Sequence, residues 1–207
     1  MRFVTSLRNW SFGAATASLL CAGAALAQSP ASTQQNMKRQ SWNLVGVDAQ
    51  LQQGLNTKSA RPGQTIEARL YRTVETASGT RLDRGTVLWG SVERVQALTY
   101  HGPAVLSLVF TKAQLRNGST VPVKVTIIGA YPADEAQRMI DGDQTIPPSP
   151  RHISNKASFD QEPGSLHSVS MYSAVQNSDS ATFRDKRGNL KLQDGTFLQI
   201  GIASRRG

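Results

Sequence analysis

The sequence predicts an all-β fold: a small antiparallel β-barrel or closed meander with one long proline-rich surface loop. Three observations predict it. Apolar residues recur at alternate positions through the middle of the chain, as in strands with one buried face. A glycine turn recurs almost word for word, at 82–90 as "LDRGTVLWG" and at 192–201 as "LQDGTFLQIG". Between them, runs rich in β-branched and aromatic residues follow one another with no helical periodicity.

Taken in order, residues 1–27 carry Arg2 and Arg8, then the apolar stretch "FGAATASLLCAGAALA", and end at Ala25-Leu26-Ala27 with small residues at −3 and −1. That three-part pattern is a secretory signal peptide, cleaved near Ala27. Its many Ala and Gly residues make it a weak membrane span. Leu19 and Leu20 before Cys21 leave no small residue for lipoprotein cleavage. Removing this segment removes the single cysteine, so the exported chain has no disulfide, thiol nucleophile or thiolate metal site. Residues 28–41, "QSPASTQQNMKRQS", are polar and aperiodic, as a flexible leader is. One domain is expected over 42–203.

In "TIEARLYRTVE", Ile66, Ala68, Leu70 and Val74 share one parity and Glu67, Arg69, Tyr71 and Thr73 the other; Arg72 breaks the apolar parity near the strand's end. Strands follow at 86–95, 104–115 and 120–131. Asn117-Gly118 joins the last two as a tight antiparallel hairpin, since both residues tolerate positive φ. Pro122 lacks an N–H, which places it at an edge or near its strand's start. Residues 132–165 hold five prolines and few large apolar residues, so they read as an irregular surface insertion. Within it "ADEAQRMI" has the makings of a helical turn, with Asp134 and Glu135 at its N-terminus, or of a loop. "SLHSVSMYSAV" alternates through His167, Val169, Met171, Ser173 and Val175 and leans towards a strand, a helix remaining the alternative. Leu198, Ile200 and Ile202 lie on one face of a closing strand.

Gly85 and Gly195 supply the positive φ that a tight bend needs, and "ARPGQTI" (Gly63) and "LRNGSTV" (Gly118) are looser versions of the same turn. On bending physics alone the repeat informs fold, not chemistry. The order and spacing of these turns resemble the C-terminal β-barrel domain of the conjugation TrbI family, the envelope-spanning scaffold of type IV secretion systems. The family's turn and "pKGt.L.G" corner are answered by Ser78-Gly79, Leu82, Gly85-Thr86, Leu88 and Gly90. Its later step is answered by Leu115, Asn117-Gly118, Val121 and Val123, and its closing strand by Leu192, Gly195-Thr196, Leu198 and Ile202. The likeness covers about 50–130 and 188–203. It departs from the family in having a signal peptide and short leader where members carry a cytoplasmic segment, a membrane helix and a long arm, and no amphipathic helix pair for a pore. The resemblance implies a stand-alone exported barrel, used as a scaffold or protein-interaction piece of the envelope.

Chemistry is sparsely signalled. His101, His152 and His167 share no ligand spacing. Ser165 lies two residues before His167, but no G-x-S-x-G elbow occurs. Asp134, Glu135, Asp141 and Asp143 cluster without the spaced acids of a calcium loop. No P-loop or dinucleotide fingerprint is present, and no enzyme activity, cofactor or metal is expected. With Arg2 and Arg8 removed from 23 basic residues, 21 stand against 14 acidic ones, a surplus of seven. That excess favours anionic surfaces such as lipopolysaccharide or wall polymers. Arg184, Lys186, Arg187 and Lys191 gather near the last corner as the candidate anion-binding set. A solvated basic surface explains the same surplus, and aromatics at 6% with an export signal disfavour nucleic acid. The expected location is periplasmic or secreted with no membrane span in the mature chain, and the expected partner is an envelope protein, a second copy, or an anionic polymer.

Overall fold

A computed structural model describes residues 42–134, 149–166 (backbone alone over 162–165) and 168–204. The signal peptide and leader lie outside the described residues, as do Glu135, Asp141, Asp143 and His167. Among the described residues thirteen strands follow one another: β1 (Val45–Leu51), β2 (Leu55–Asn56), β3 (Thr65–Leu70), β4 (Val74–Glu75), β5 (Arg81–Leu82), β6 (Val87–Gln96) and β7 (Ala104–Gln114), then β8 (Thr120–Tyr131), β9 (Ser158–Leu166), β10 (Val169–Ala174), β11 (Ala181–Asp185), β12 (Lys191–Leu192) and β13 (Phe197–Ser204). Ala133 and Asp134 are helical.

The main sheet runs β6-β3-β1-β13-β8-β7, and β6 also pairs with β7. Six antiparallel strands therefore close into a barrel with no free edge among them. Beyond it, β7 divides one edge between two partners: β8 over Lys112–Gln114 and β11 over Ala104–Leu108. From β11 the sheet continues through β10 to β9. The expected all-β barrel is thus present, and within 166–176 the described residues Val169–Ala174 form a strand, with Val169, Met171 and Ser173 buried on one face. One strand falls where only an irregular insertion was expected. β9 ends the sheet order, a position that tolerates Pro163, which has no N–H to give.

The core is built by alternation with three resets. Leu106, Leu108 and Phe110 are buried, then Ala113, because Thr111 is an extra residue between the Gly90–Phe110 and Trp89–Lys112 pairs. Glu93 does the same in β6, and Ile128 in β8, where buried parity passes from Ile127 to Ala130. Ile128 thereby turns outward to a second cluster of Leu44, Ile153, Val175 and Ala203. Residues 149–157, part of the expected surface insertion, instead lie on the wall of β1 and β13. Ile153 is buried and its N–H bonds Leu44 O at 3.0 Å, while Ser149 Oγ donates to Asp48 Oδ1 at 2.6 Å. Gly46 and Gly201 are register partners that make room for this crossing. A Cβ on Gly46 would overlap the Pro150 carbonyl, and one on Gly201 would meet Ile153 Cδ1 at 2.5 Å. Arg72, the residue that broke parity, lies beyond the end of β3 and pairs with the buried Asp48 carboxylate at 3.5 Å.

The repeated turn is a lock with a fixed wiring. At Gly85, the Thr86 N–H returns to Asp83 O (3.0 Å), the Gly85 N–H bonds Leu70 O (2.8 Å), and Leu70 N–H bonds Thr86 O (2.9 Å). At Gly195 the same three bonds join Thr196 to Gln193, Gly195 to Leu51 and Leu51 to Thr196; at Gly63 they join Gln64 to Arg61, Gly63 to Val92 and Val92 to Gln64. With φ of +82° to +88° and +77° on the third residue, these are type II turns, and Pro62 takes the second position that suits proline. Gly118 belongs to a different class. It shares with Gly79 a bulged hairpin, in which Gly118 N–H bonds Leu115 O and Leu115 N–H bonds Ser119 O. Only the glycine there has positive φ, so Asn117 instead uses its Oδ1 to accept from Ser119 N and Oγ.

Gly85→Ala should cost ~1 kcal/mol, since nothing lies within 4 Å of the new Cβ and only the positive φ is strained. Gly46→Ala should cost more, because backbone must move to admit the methyl group. Urea denaturation at constant m-value would rank the two, and a Gly46→Ala midpoint equal to wild type would contradict the seating of 149–157 against β1.

Candidate binding surface

One end of the barrel gathers the connection between β6 and β7 and the connection between β11 and β12. At the first, Thr99 and Gly102 exchange backbone hydrogen bonds of 3.1 and 3.3 Å, closing a loop whose tip is Tyr100 and His101. The Tyr100 side chain is 98% exposed and the His101 ring meets it edge-on at 5.1 Å. His101 thus sits at the tip of the β6–β7 hairpin loop.

The second connection is a turn organised by Asp185. This residue is buried, yet its Oδ1 accepts from the N–H of Arg187 (2.7 Å) and Gly188 (3.1 Å), and its Oδ2 from Ser168 Oγ at 2.9 Å. The carboxylate's hydrogen bonds go to the turn's own backbone and to Ser168, and it forms no ion pair with the cations beside it among the described residues. Phe183 and Asp185 face inward, which by strand alternation turns Arg184 outward. Arg184, Lys186, Arg187 and Lys191 are all exposed. Among the described residues no carboxylate forms an ion pair with Arg184, Lys186 or Arg187. Arg184 lies on β11, Lys186 and Arg187 in the connection that follows, and Lys191 on β12.

Two residues missed by sequence reasoning fix the geometry. Asn189 Oδ1 accepts the Leu98 N–H at 3.1 Å, tying the Tyr100 hairpin to the cationic turn. Leu190 N–H donates to Thr57 Oγ1 at 3.1 Å, anchoring the same turn to the segment after β2. Beside the turn lies a cleft of about 560 Å³ lined by Asp134, Leu166, Val169, Asp185, Asn189 and Lys191, among others. Its chemistry is mixed, two carboxylates and one ammonium over an apolar floor. Among the described residues no group of three His, Cys, Asp or Glu side chains is placed to hold a metal ion, and no helix is long and apolar enough to cross a membrane.

Lys124 also escaped the sequence reading, although a lysine between Val123 and Val125 in a strand is a detectable signal. Its ammonium donates to Asn177 O, and burial pushes it below its ordinary range while Asp179 and Glu93 pull the other way.

No family model matches the chain, and no curated protein matches it. Among solved structures the chain is similar to ComB10 of the Com type IV secretion system of Helicobacter pylori. The identity is 10%, the TM-score 0.37, and the overlap covers 79% of this chain and 86% of that one. A likeness at that level carries no functional argument.

The lowered Lys124 pKa has a testable sign. Between its folded value and the ordinary 10.5, the unfolded chain holds a proton that the folded one lacks, so stability rises with pH through that window. In Lys124→Gln that contribution is absent, and its stability should gain less than wild type as pH rises towards 10.5. Parallel curves from paired urea melts would show that the site does not titrate as described.

Proposed function

We propose that this chain is a non-enzymatic protein of the bacterial cell envelope, exported by its N-terminal signal, whose TrbI-like barrel acts as a scaffold or protein-interaction module. The observation that carries the interaction reading is Tyr100. Its aromatic side chain is 98% exposed at the hairpin tip, and Tyr is enriched among residues that anchor interfaces. It does not stand on a loose loop, because the Leu98–Asn189 bond fixes its hairpin to the barrel end. A pre-positioned anchor loses little conformational freedom on binding. The order of glycine corners supports the TrbI-like reading, since the closed barrel uses Gly85 and Gly195 where the family's pattern places its corners.

A second reading is favoured by the cationic turn. Arg184, Lys186 and Arg187 project from a backbone already satisfied by Asp185, leaving their charges available to a polyanion such as lipopolysaccharide or a wall polymer.

A photo-crosslinking residue at position 100 should give discrete protein adducts in the periplasm, and the same residue at Tyr172, 47% exposed, should not. Equal or absent adducts from both positions would remove the interaction reading. For the second, Arg184→Glu, Lys186→Glu and Arg187→Glu together should elute from heparin at markedly lower salt than wild type, with unchanged thermal melting. Identical elution would remove the polyanion reading.

A further inference from the structure

The other end of β10 and β11 carries a separate concavity of about 440 Å³, where Trp42, Lys124, Asn155 and the turn Val175–Ser178 meet. It shares no residue with the Tyr100 face. Its floor is apolar: Val175 is buried, and the half-buried Trp42 rests on the same cluster of Leu44, Ile153 and Ala203. Its rim is the opposite. The side-chain amides of Asn155, Gln176 and Asn177 and the Ser178 hydroxyl make no hydrogen bond to any described residue. Lys124 gives one hydrogen bond to Asn177 O, leaving two ammonium N–H groups unspent.

That combination selects a ligand class. Each free carboxamide offers a donor pair and an acceptor, and a ring of adjacent hydroxyls needs both at once. An indole supplies a flat apolar surface suited to the C–H face of a pyranose. A phosphate would be better served by guanidinium forks, and no arginine is among the described lining residues. A single ammonium matches a single carboxylate. The volume falls in the range of about 300–1,000 Å³ usual for small-molecule sites.

We propose that this pocket binds one residue of an acidic saccharide, with Trp42 against the sugar face, Asn155, Gln176 and Asn177 on its hydroxyls and Lys124 on its carboxylate. The partial burial that disfavours the Lys124 charge in the empty protein is offset when an anion meets it.

The methyl glycosides of glucuronic and galacturonic acid are suitable probes, each compared with the neutral sugar that carries a hydroxymethyl group in place of the carboxylate. Titration of the full chain, followed by NMR shift changes, should show saturable binding of at least one acidic glycoside and at least ~5-fold weaker binding of its neutral counterpart. Lys124→Gln should reduce the acidic sugar to the neutral level, and Trp42→Ala should abolish both. Trp42 contributes to a buried cluster, so Gln176→Glu serves as the variant that spares the fold: it is exposed, makes no hydrogen bond to a described residue, and should repel the carboxylate, weakening binding ~5-fold or more at unchanged melting temperature. The proposal is overturned if neither acidic glycoside saturates the folded wild type, if the neutral sugars bind equally well, or if Lys124→Gln and Gln176→Glu leave acidic binding unchanged.

Discussion

β13 enters the barrel last in sequence and lies between β1 and β8, so closure waits on the chain's final strand. All eight of its residues are buried. One face meets the barrel interior through Leu198, Ile200 and Ile202, and the other is covered through Ala203 by the cluster that residues 149–157 bring across. Joining Val45 to Ile202 closes a very long loop, and its entropy must be lost before the contact returns anything. The corner at Gly195 lowers the remaining uncertainty by fixing register locally. Its two bonds go to Leu51, the last residue of β1, so the residue that ends one strand sets the start of its neighbour. Leu70 plays the same part for β6 through Gly85.

The parts of the fold legible in the sequence are those determined locally. β3, β6, β7 and β8 announce themselves by alternation and β-branching, and the corners by glycine, because both signals act within a few residues. What stayed hidden depends on distant partners. The extra residues Glu93, Thr111 and Ile128 look like ordinary strand positions, and only the facing strand makes them bulges. β9 has a strand's partner without a strand's composition. The crossing segment looked like solvent-facing loop because Ile153 is its single deep anchor, and the glycines that receive it, Gly46 and Gly201, lie far away in sequence. The candidate sites divide the same way. Four clustered cations could be read directly, and Asp185 two residues before Arg187 fits an Asx turn that could have been read. Asn189 and Lys124 acquire their roles only through Leu98 and Asn177.

Both candidate surfaces trace to one departure from a simple barrel. β8 leaves β7 after three paired residues, and β11 takes the vacated edge. That substitution adds β11, β10 and β9 to the wall and gives the molecule two extra turns, one at each end of the added strands. The 185–188 turn lands beside the β6–β7 hairpin, and the 175–178 turn lands beside Lys124 of the departing β8. A closed barrel of six strands alone would have neither.

The repeated corner, by contrast, is unsuited to chemistry for a physical reason. In each copy the glycine N–H, the following N–H and the following C=O are spent on the turn and on one neighbouring residue. Even the Thr196 hydroxyl returns to Gln193 O at 2.7 Å. Those backbone groups have nothing left to offer a ligand, and the Thr86 hydroxyl of the first copy is buried with no hydrogen-bond partner among the described residues. The unspent polar side chains lie on other connections: the carboxamides around Trp42 and the exposed cations beside Asp185. The sequence repeats itself where the fold needs the same lock.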